Sequence, residues 1–384
     1  MPKQAIIQPS TEAVEIIEAP IPAPQDRDVV IKVVVTGTNP KDWKYPFWKQ
    51  WPHNSGDDIA GFVHAVGKDV YEFKPGDRVA ALHQPTTENG SFAEYAVAPD
   101  WTTSHLPHNV SFEEGVTIPV AAGTAIMALF ADMKLPMPFM GNAEAREKRP
   151  LLIFGVTSAV GAFAAKLARL SGVHPIIGTA GRAKNFASSL VDHVVDYRQS
   201  EEKLIAAVED ILSKEGLDKK VPYIFDAISE GGTLETTLKI IKLNGGVVST
   251  VLPPKLFARD PENFTYPPGV IAYNSAVVFV HLTHKDFGYT WFRYLGRLLQ
   301  EGKLSPHPHE VVPGGLIGVL KALQKLRDGH ASAVKYVCRV EETAAGVGLF
   351  DAHGHEVSRE QHPPPSGENI HPLRNFPYPV DGKP

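Results

Sequence analysis

The chain has 384 residues, 43% of them hydrophobic, with 38 Lys and Arg against 43 Asp and Glu, a formal charge of −5. Both signs are spread along it and no basic block stands ready to neutralise phosphates, so nucleic acid is not an expected partner. The single cysteine, Cys338, excludes an intrachain disulfide and any cysteine-rich structural zinc site.

At about 100–200 residues per domain, this length implies two domains. Residues 1–11 lack the apolar core of a signal peptide. The apolar uncharged stretch 115–131 falls short of the ~20 residues of a membrane helix and is broken by Pro119 and Gly123. The expectation is a cytoplasmic protein without a membrane partner.

The first third reads as short strands joined by turns. Residues 29–35 are a β-branched run bounded by Gly37, and residues 56–66 form a strand that begins beside Asp57 and Asp58. Lys74-Pro75-Gly76-Asp77 is turn chemistry, followed by strands over 78–82 and 92–97. This spacing predicts an antiparallel barrel or sandwich. Ser111 with Glu113 and Glu114 marks a helix start, and residues 119–131 are small, apolar and predicted helical. Residues 133–149, with Pro136, Pro138 and a charged run, read as a surface insertion.

From Leu151 the pattern becomes strand–helix alternation, which predicts a parallel sheet with helices on both faces and so an α/β fold class. Residues 151–154 are an apolar strand. Residues 159–171 place Val160, Phe163, Ala164, Leu167 and Leu170 on one helical face and stop at Gly172. Strands are expected at 175–179, around Val194, Val195 and Tyr197, and at 223–227, 246–252 and 277–281, with a helix over 234–243. Two amphipathic helices over 287–301 and 316–328 precede a last strand over 334–340. After Val340 the chain turns rich in Pro, His and Gly, with Pro363-Pro364-Pro365 as a break, and is expected to be irregular or loosely docked.

The segment Gly155-Val156-Thr157-Ser158-Ala159-Val160-Gly161 sits where a strand ends and a helix begins. There, backbone N–H groups and the helix dipole can hold a pyrophosphate, with Thr157, Ser158, Ala159 and Val160 as the binding residues. The GxGxxG pattern is not met, since Val156 and Ser158 replace its first two glycines, and a tight turn made for packing alone is the alternative. Some 20 residues on, where an acid would hold the ribose hydroxyls of NADH, the chain reads Thr179-Ala180-Gly181-Arg182-Ala183-Lys184-Asn185. Two cations there suit a 2′-phosphate, so Gly181, Arg182, Lys184 and Asn185 are assigned to NADPH, a solvated basic turn being the bland alternative. Tyr197 either stacks on the adenine, bonds the same phosphate, or is structural.

Three motifs, Gly37-Thr38-Asn39-Pro40-Lys41-Asp42-Trp43, the stretch 61–79 ending in Gly-Asp-Arg-Val, and Gly90-Ser91-Phe92-Ala93-Glu94-Tyr95, together resemble the medium-chain dehydrogenases/reductases. The 158–161 turn, Asp196-Tyr197 and the ending Gly329-His330-Ala331-Ser332-Ala333-Val334-Lys335-Tyr336 match as well. The set is most similar to the zinc-free quinone-oxidoreductase-like branch and the fungal trans-acting enoyl reductases, over about residues 5–340. This resemblance implies a GroES-like β-barrel catalytic domain (1–125, completed by 282–340), a Rossmann NADPH-binding domain with a doubly wound parallel sheet (126–281) and a C-terminal tail (341–384).

Zinc members of the superfamily place a Cys in the first motif and a His-Glu pair in the second; here these positions are Thr38-Asn39-Pro40 and Asp57-Asp58, so no metal is expected. His307, His309 and Glu310 read as a chance surface cluster among 16 histidines. Without a Lewis acid the chemistry suits an activated acceptor, and hydride delivered to a β-carbon leaves charge on a carbonyl oxygen that hydrogen-bond donors stabilise. By resemblance, Lys44 is the candidate donor and Thr124 lies near the nicotinamide. A solvated lysine and a threonine bonding its own helix are the competing readings. Asn39 and Pro40 are expected to wall the ring, with Lys41 close by, and Leu252, Pro253, Asn274 and Ser275 to line the nicotinamide end. Three functions stay open: an enoyl reductase acting in trans on a small-molecule or carrier-bound thioester of a polyketide synthase, a quinone oxidoreductase, and a non-catalytic nucleotide-binding regulator. Monomer and homodimer are both compatible, the strand at 277–281 being a candidate for edge pairing.

Overall fold

Two stretches of mainly antiparallel strands flank one stretch of parallel strands in the computed structural model, which describes residues 1–140, 148–344 and 346–360. The chain divides into two units: Met1–Val120 together with the chain after Val277, and Ala121–Val277.

The first unit opens with β1 (Lys3–Ile7), β2 (Val14–Glu18) and β3 (Asp28–Gly37). It continues through α1 (Pro40–Lys49), β4 (Asp58–Val66), β5 (Arg78–Leu82), β6 (Tyr95–Pro99), β7 (Thr103–His105) and the short α2 (Phe112–Gly115). Ser111 caps α2 by accepting from Glu114 N–H, and Glu114 returns a bond to Ser111 N–H, which is the helix start read from the sequence. Helix α1 was not expected. Its signal is present in Asn39-Pro40-Lys41-Asp42: an N-cap Asn, a Pro at the first helical position, and an Asp whose carboxylate accepts from Asn39 N–H at 2.8 Å.

Helix α3 (Pro119–Ile126) begins at the end of this unit and leads into the second. By length and composition residues 112–132 could cross a membrane, yet 94% of their most apolar window is buried within the protein. The second unit then alternates: β8 (Leu151–Phe154), α4 (Ala159–Leu170), β9 (Ile176–Ala180), α5 (Lys184–Leu190), β10 (His193–Asp196), α6 (Glu201–Lys214), β11 (Tyr223–Asp226), α7 (Thr233–Ile240), β12 (Val247–Thr250), α8 (Pro254–Phe257) and β13 (Ile271–Asn274). The six strands are all parallel, in the order β10-β9-β8-β11-β12-β13. The order reverses between β8 and β11, and in open parallel sheets ligands bind at the strands' carboxyl ends beside such a reversal. Leu152, Phe154, Ile177, Ile224 and Val248 of the sheet pack with Leu204, Val208 and Leu212 of α6 in one core. Each such side chain contributes about 1.5–3 kcal/mol on full burial.

The chain returns to the first unit through α9 (Lys285–Gln300), β14 (His309–Val311), α10 (Gly315–Arg327), β15 (Lys335–Arg339) and β16 (Gly348–Phe350). β15 pairs antiparallel with β3 and so joins the late strands to the main sheet, β14-β15-β3-β4-β5-β7 with β6 on β3. Its core joins Ile31, Ile59, Val79 and Phe92 to Leu316, Leu320 and Leu323 of α10.

Two expectations are corrected. Val277–His281 is a 3₁₀ turn, not a strand; the sixth strand is β13, and it is β13 that lies at the sheet edge. The apolar run at 277–281 is buried, which a short periodic pattern cannot assign to strand or helix, while β13 exposes Ile271 as edge strands do. The chain after Val340 is not loosely docked throughout. β16 pairs with β2, Leu349 is buried, and Arg359 forms an ion pair with Glu15. Residues 141–147 of the expected insertion and 361–384 of the tail, with its proline run, lie outside the described residues.

Candidate functional site

Five groups of expected site residues lie at the carboxyl ends of the parallel strands or in the turns just beyond. The turn after β8 holds Gly155 at φ +69, where only glycine is unstrained. Its N–H donates to Thr179 Oγ1 at 2.9 Å, and Val156 N–H to Thr179 O at 3.1 Å, which ties the turn to β9. Ser158 is the N-cap of α4 and accepts from Gly161 N–H at 3.0 Å. A side chain at Gly161 would stand 2.3 Å from Gly155 O and 2.9 Å from Val156 Cα, so the helix can reach the turn this closely only because position 161 is glycine. Thr157, Ser158, Ala159 and Val160 are all partly exposed at this helix N-terminus. Backbone amides and the positive end of a twelve-residue helix thus meet at this turn, an arrangement that could hold an anion.

At the end of β9, Gly181 is buried under the Tyr197 ring; a side chain at 181 would lie 2.9 Å from that ring's Cε1 and Oη. Tyr197 itself is 56% exposed. Arg182, Lys184 and Asn185 are exposed beside it, and among the described residues Arg182 has no ion-pair or hydrogen-bond partner. Lys184 Nζ lies 3.2 Å from Asp196, whose carboxylate also takes a two-pronged bond from Arg198 at 2.9 and 2.6 Å. Bonding to Arg198 and then to Lys184 holds the Asp196 carboxyl well below the ordinary carboxylate range. Sequence reasoning missed Arg198, although its place directly after Tyr197 was available to it.

Asp226, at the end of β11, was also missed. Its buried carboxylate accepts from Ile228 N–H (3.0 Å), Ser229 N–H (2.8 Å) and Thr233 Oγ1 (2.6 Å). Burial pushes it up to about 6, against the lowering effect of those bonds. The loop it folds carries Ile228 across Gly155. Leu252 and Pro253 follow β12, partly exposed. Asn274 turns its amide back to Thr250 O at 3.1 Å, and Ser275 is bonded internally to Ser249 and Asp132. Thr124 is buried in α3.

The remaining candidates are in the first unit, on and before α1. Asn39 is buried, and its amide donates to Asp58 Oδ2 at 2.7 Å and accepts from Lys335 Nζ at 2.8 Å. Pro40 is the first residue of the helix. Lys41, expected near the cofactor, is committed internally: its ammonium lies 2.6 Å from both Asp42 and Asp57 and donates to Ser55 O at 2.7 Å. Burial lowers its pKa, but Asp42 and Asp57 outweigh this and raise it. Both carboxylates are raised by burial, with Lys41 opposing. Lys44 is buried, with its ammonium 5.7 and 5.9 Å from the ring centres of Trp43 and Trp48.

At the positions the resemblance matched to zinc ligands, Thr38-Asn39-Pro40 and Asp57-Asp58, both carboxylates already carry a lysine ammonium. Among the described residues no group of three or more His, Cys, Asp or Glu side chains is arranged to take a metal ion. This donor set does not fit a zinc site.

Residues 25–108 match the alcohol dehydrogenase GroES-like domain, and residues 159–283 match the zinc-binding dehydrogenase family. The chain is 40% identical to trans-enoyl reductase fsr4 of Gibberella fujikuroi over 319 residues, 81% of this chain and 91% of that one. It is 29% identical to trans-enoyl reductase ACTTS2 of Alternaria alternata, over 88% of this chain and 99% of the relative. Among solved structures, CurK enoyl reductase has a TM-score of 0.70 at 19% identity over 88% of this chain and 99% of that chain. A quinone oxidoreductase from Pseudomonas syringae has 0.67 at 21% identity over 88% and 100%. These two establish the fold, a GroES-like barrel with a Rossmann domain, and the relatives establish the family: the chain belongs to the medium-chain dehydrogenases/reductases, as an oxidoreductase of the enoyl-reductase type.

Proposed function

We propose that the chain is an NADPH-dependent, metal-free enoyl reductase that acts in trans on an α,β-unsaturated thioester carried by a polyketide synthase. The observation that carries this reading is the 40% identity, over most of both chains, to a trans-enoyl reductase. The NADPH preference is supported by Arg182 and Lys184, exposed beside Tyr197, with no acid between Thr179 and Asn185. The metal-free reading is supported by the lysine-neutralised Asp57 and Asp58.

When bound, the dinucleotide supplies hydride, which adds to the β-carbon of the acceptor. The turn 157–160 holds the diphosphate through backbone N–H groups, and Arg182 with Lys184 holds the 2′-phosphate. Lys44 donates to the thioester carbonyl oxygen as negative charge gathers there, and the α-carbon then takes a proton. The aromatic rings of Trp43 and Trp48 keep that ammonium in one place and shield it from water.

Crotonyl-pantetheine and a benzoquinone are offered separately with NADPH, and the product is identified by mass. Reduction of the thioester carbon–carbon bond is expected. Turnover of the quinone alone would assign the chain to quinone reduction, and turnover of neither would make it a non-catalytic nucleotide binder. Lys44→Ala should lower kcat about 100-fold with NADPH affinity unchanged, the scale of removing one charge-stabilising donor.

A further inference from the structure

The most enclosed charge pair in the first unit belongs to none of the steps above. Lys335 stands at the start of β15, and its side chain is 3% exposed; Asp58 stands at the start of β4 and is fully buried. Their 2.6 Å contact is one side of a closed figure. Lys335 Nζ also donates to Asn39 Oδ1 at 2.8 Å, and Asn39 Nδ2 donates to Asp58 Oδ2 at 2.7 Å. The other carboxylate oxygen of Asp58 accepts from Val120 N–H, in the first turn of α3, at 2.8 Å. Gly37 leaves just enough room, since a side chain there would be 3.2 Å from Lys335 Cε and 3.1 Å from Asp58 Cβ.

A buried ion pair is a poor source of stability, because an apolar pair of the same volume serves as well or better. What this one supplies is geometry. Both ends of the Asn39 amide are specified, oxygen to the cation and nitrogen to the anion, so the amide has one orientation. Asn39 is the N-cap of α1, and α1 carries Lys44. Val120 opens α3, and α3 carries Thr124. We propose that Lys335 is a positioning residue for the reduction: its ammonium, through Asp58 and Asn39, fixes the starts of the two helices that bear Lys44 and Thr124. This rests on the reading that Lys44 meets the substrate.

The test compares wild type, Lys335→Met and the charge-neutral double variant Asp58→Asn/Lys335→Met. With NADPH and crotonyl-pantetheine, Lys335→Met should lose about 30-fold or more in kcat while the KM for NADPH stays within about threefold, the scale expected when a reacting group is displaced by a fraction of an ångström. Amide hydrogen exchange should quicken at least tenfold over Pro40–Lys49 and Pro119–Ile126 and stay unchanged over Ala159–Leu170. The double variant leaves no buried charge unpaired, so it should fold if the single variant does not, and should show the same kcat loss and the same local exchange. A kcat within about threefold of wild type in the double variant, or exchange that quickens equally in α4, overturns the proposal. If wild type reduces no thioester, the enoyl-reductase reading falls, and the exchange pattern still decides whether Lys335 fixes the two helices.

Discussion

Replacing Gly161 with alanine probes the nucleotide turn most directly. The added methyl would stand 2.3 Å from Gly155 O and 2.9 Å from Val156 Cα, both backbone atoms, so no side chain can rotate aside. Reaching 3.0 Å from that oxygen requires 3.0 − 2.3, about 0.7 Å, of movement of α4 away from the turn. Phe163, Ala164, Leu167 and Ala168 are buried on α4, so the movement propagates into packed core. Such overpacking costs about 1–3 kcal/mol of stability. The same movement draws the amides at the start of α4 from the diphosphate, and a loss of about 1–2 kcal/mol there raises the Kd for NADPH roughly 5- to 30-fold. Calorimetric titration with NADPH, alongside thermal unfolding, reads both. Gly216→Ala is the control: Gly216 has φ +72 with nothing within 4 Å, so it should lose about 1 kcal/mol through backbone strain and leave the Kd unchanged. A folded Gly161→Ala protein that binds NADPH within twofold of wild type would refute the placement of the diphosphate on this turn.

Two further outcomes follow from the same unit. Arg182→Ala with Lys184→Ala should weaken NADPH about 10- to 100-fold and leave NADH within about twofold, as measured by titration; equal weakening of both would move the 2′-phosphate elsewhere. Asp226 titrates at about 6 in the folded protein, above its ordinary 3.8, so the folded state takes up its proton first and gains stability as pH falls. Thermal unfolding of wild type and Asp226→Asn should therefore shift in favour of wild type by about 1.4 kcal/mol between about pH 8 and about pH 5. A difference that is flat with pH would show that this carboxylate is not held above its usual range.

Much of the Rossmann unit was legible in the sequence because its central strands are buried on both faces and read as continuous apolar runs, Leu151–Phe154 above all. β13 was not, since an edge strand with Ile271 and Asn274 outward carries no apolar signature. Helix α1 announced itself in Asn39-Pro40-Lys41-Asp42, but those residues were read as lining a site before they were read as a helix cap. The partners of Lys41 and Lys335 were not legible: Asp57 lies sixteen positions from Lys41, and Asp58 277 positions from Lys335, and only the fold brings them together. The same holds for Asp226, whose sequence context shows an acid ending a strand but not the three donors that close on it.

The pairing of β16 with β2, and of β15 with β3, has a consequence for how the molecule is made. β2 and β3 already have β1 and β4 beside them, but their partners β16 and β15 arrive only after some 300 further residues have been translated, the separation between Val337 and Gly37. Until then the early strands wait with unpaired edges, while Ala121–Val277, uninterrupted in sequence, has its whole sheet at hand. The nascent barrel is therefore the stretch most dependent on chaperone shelter during synthesis.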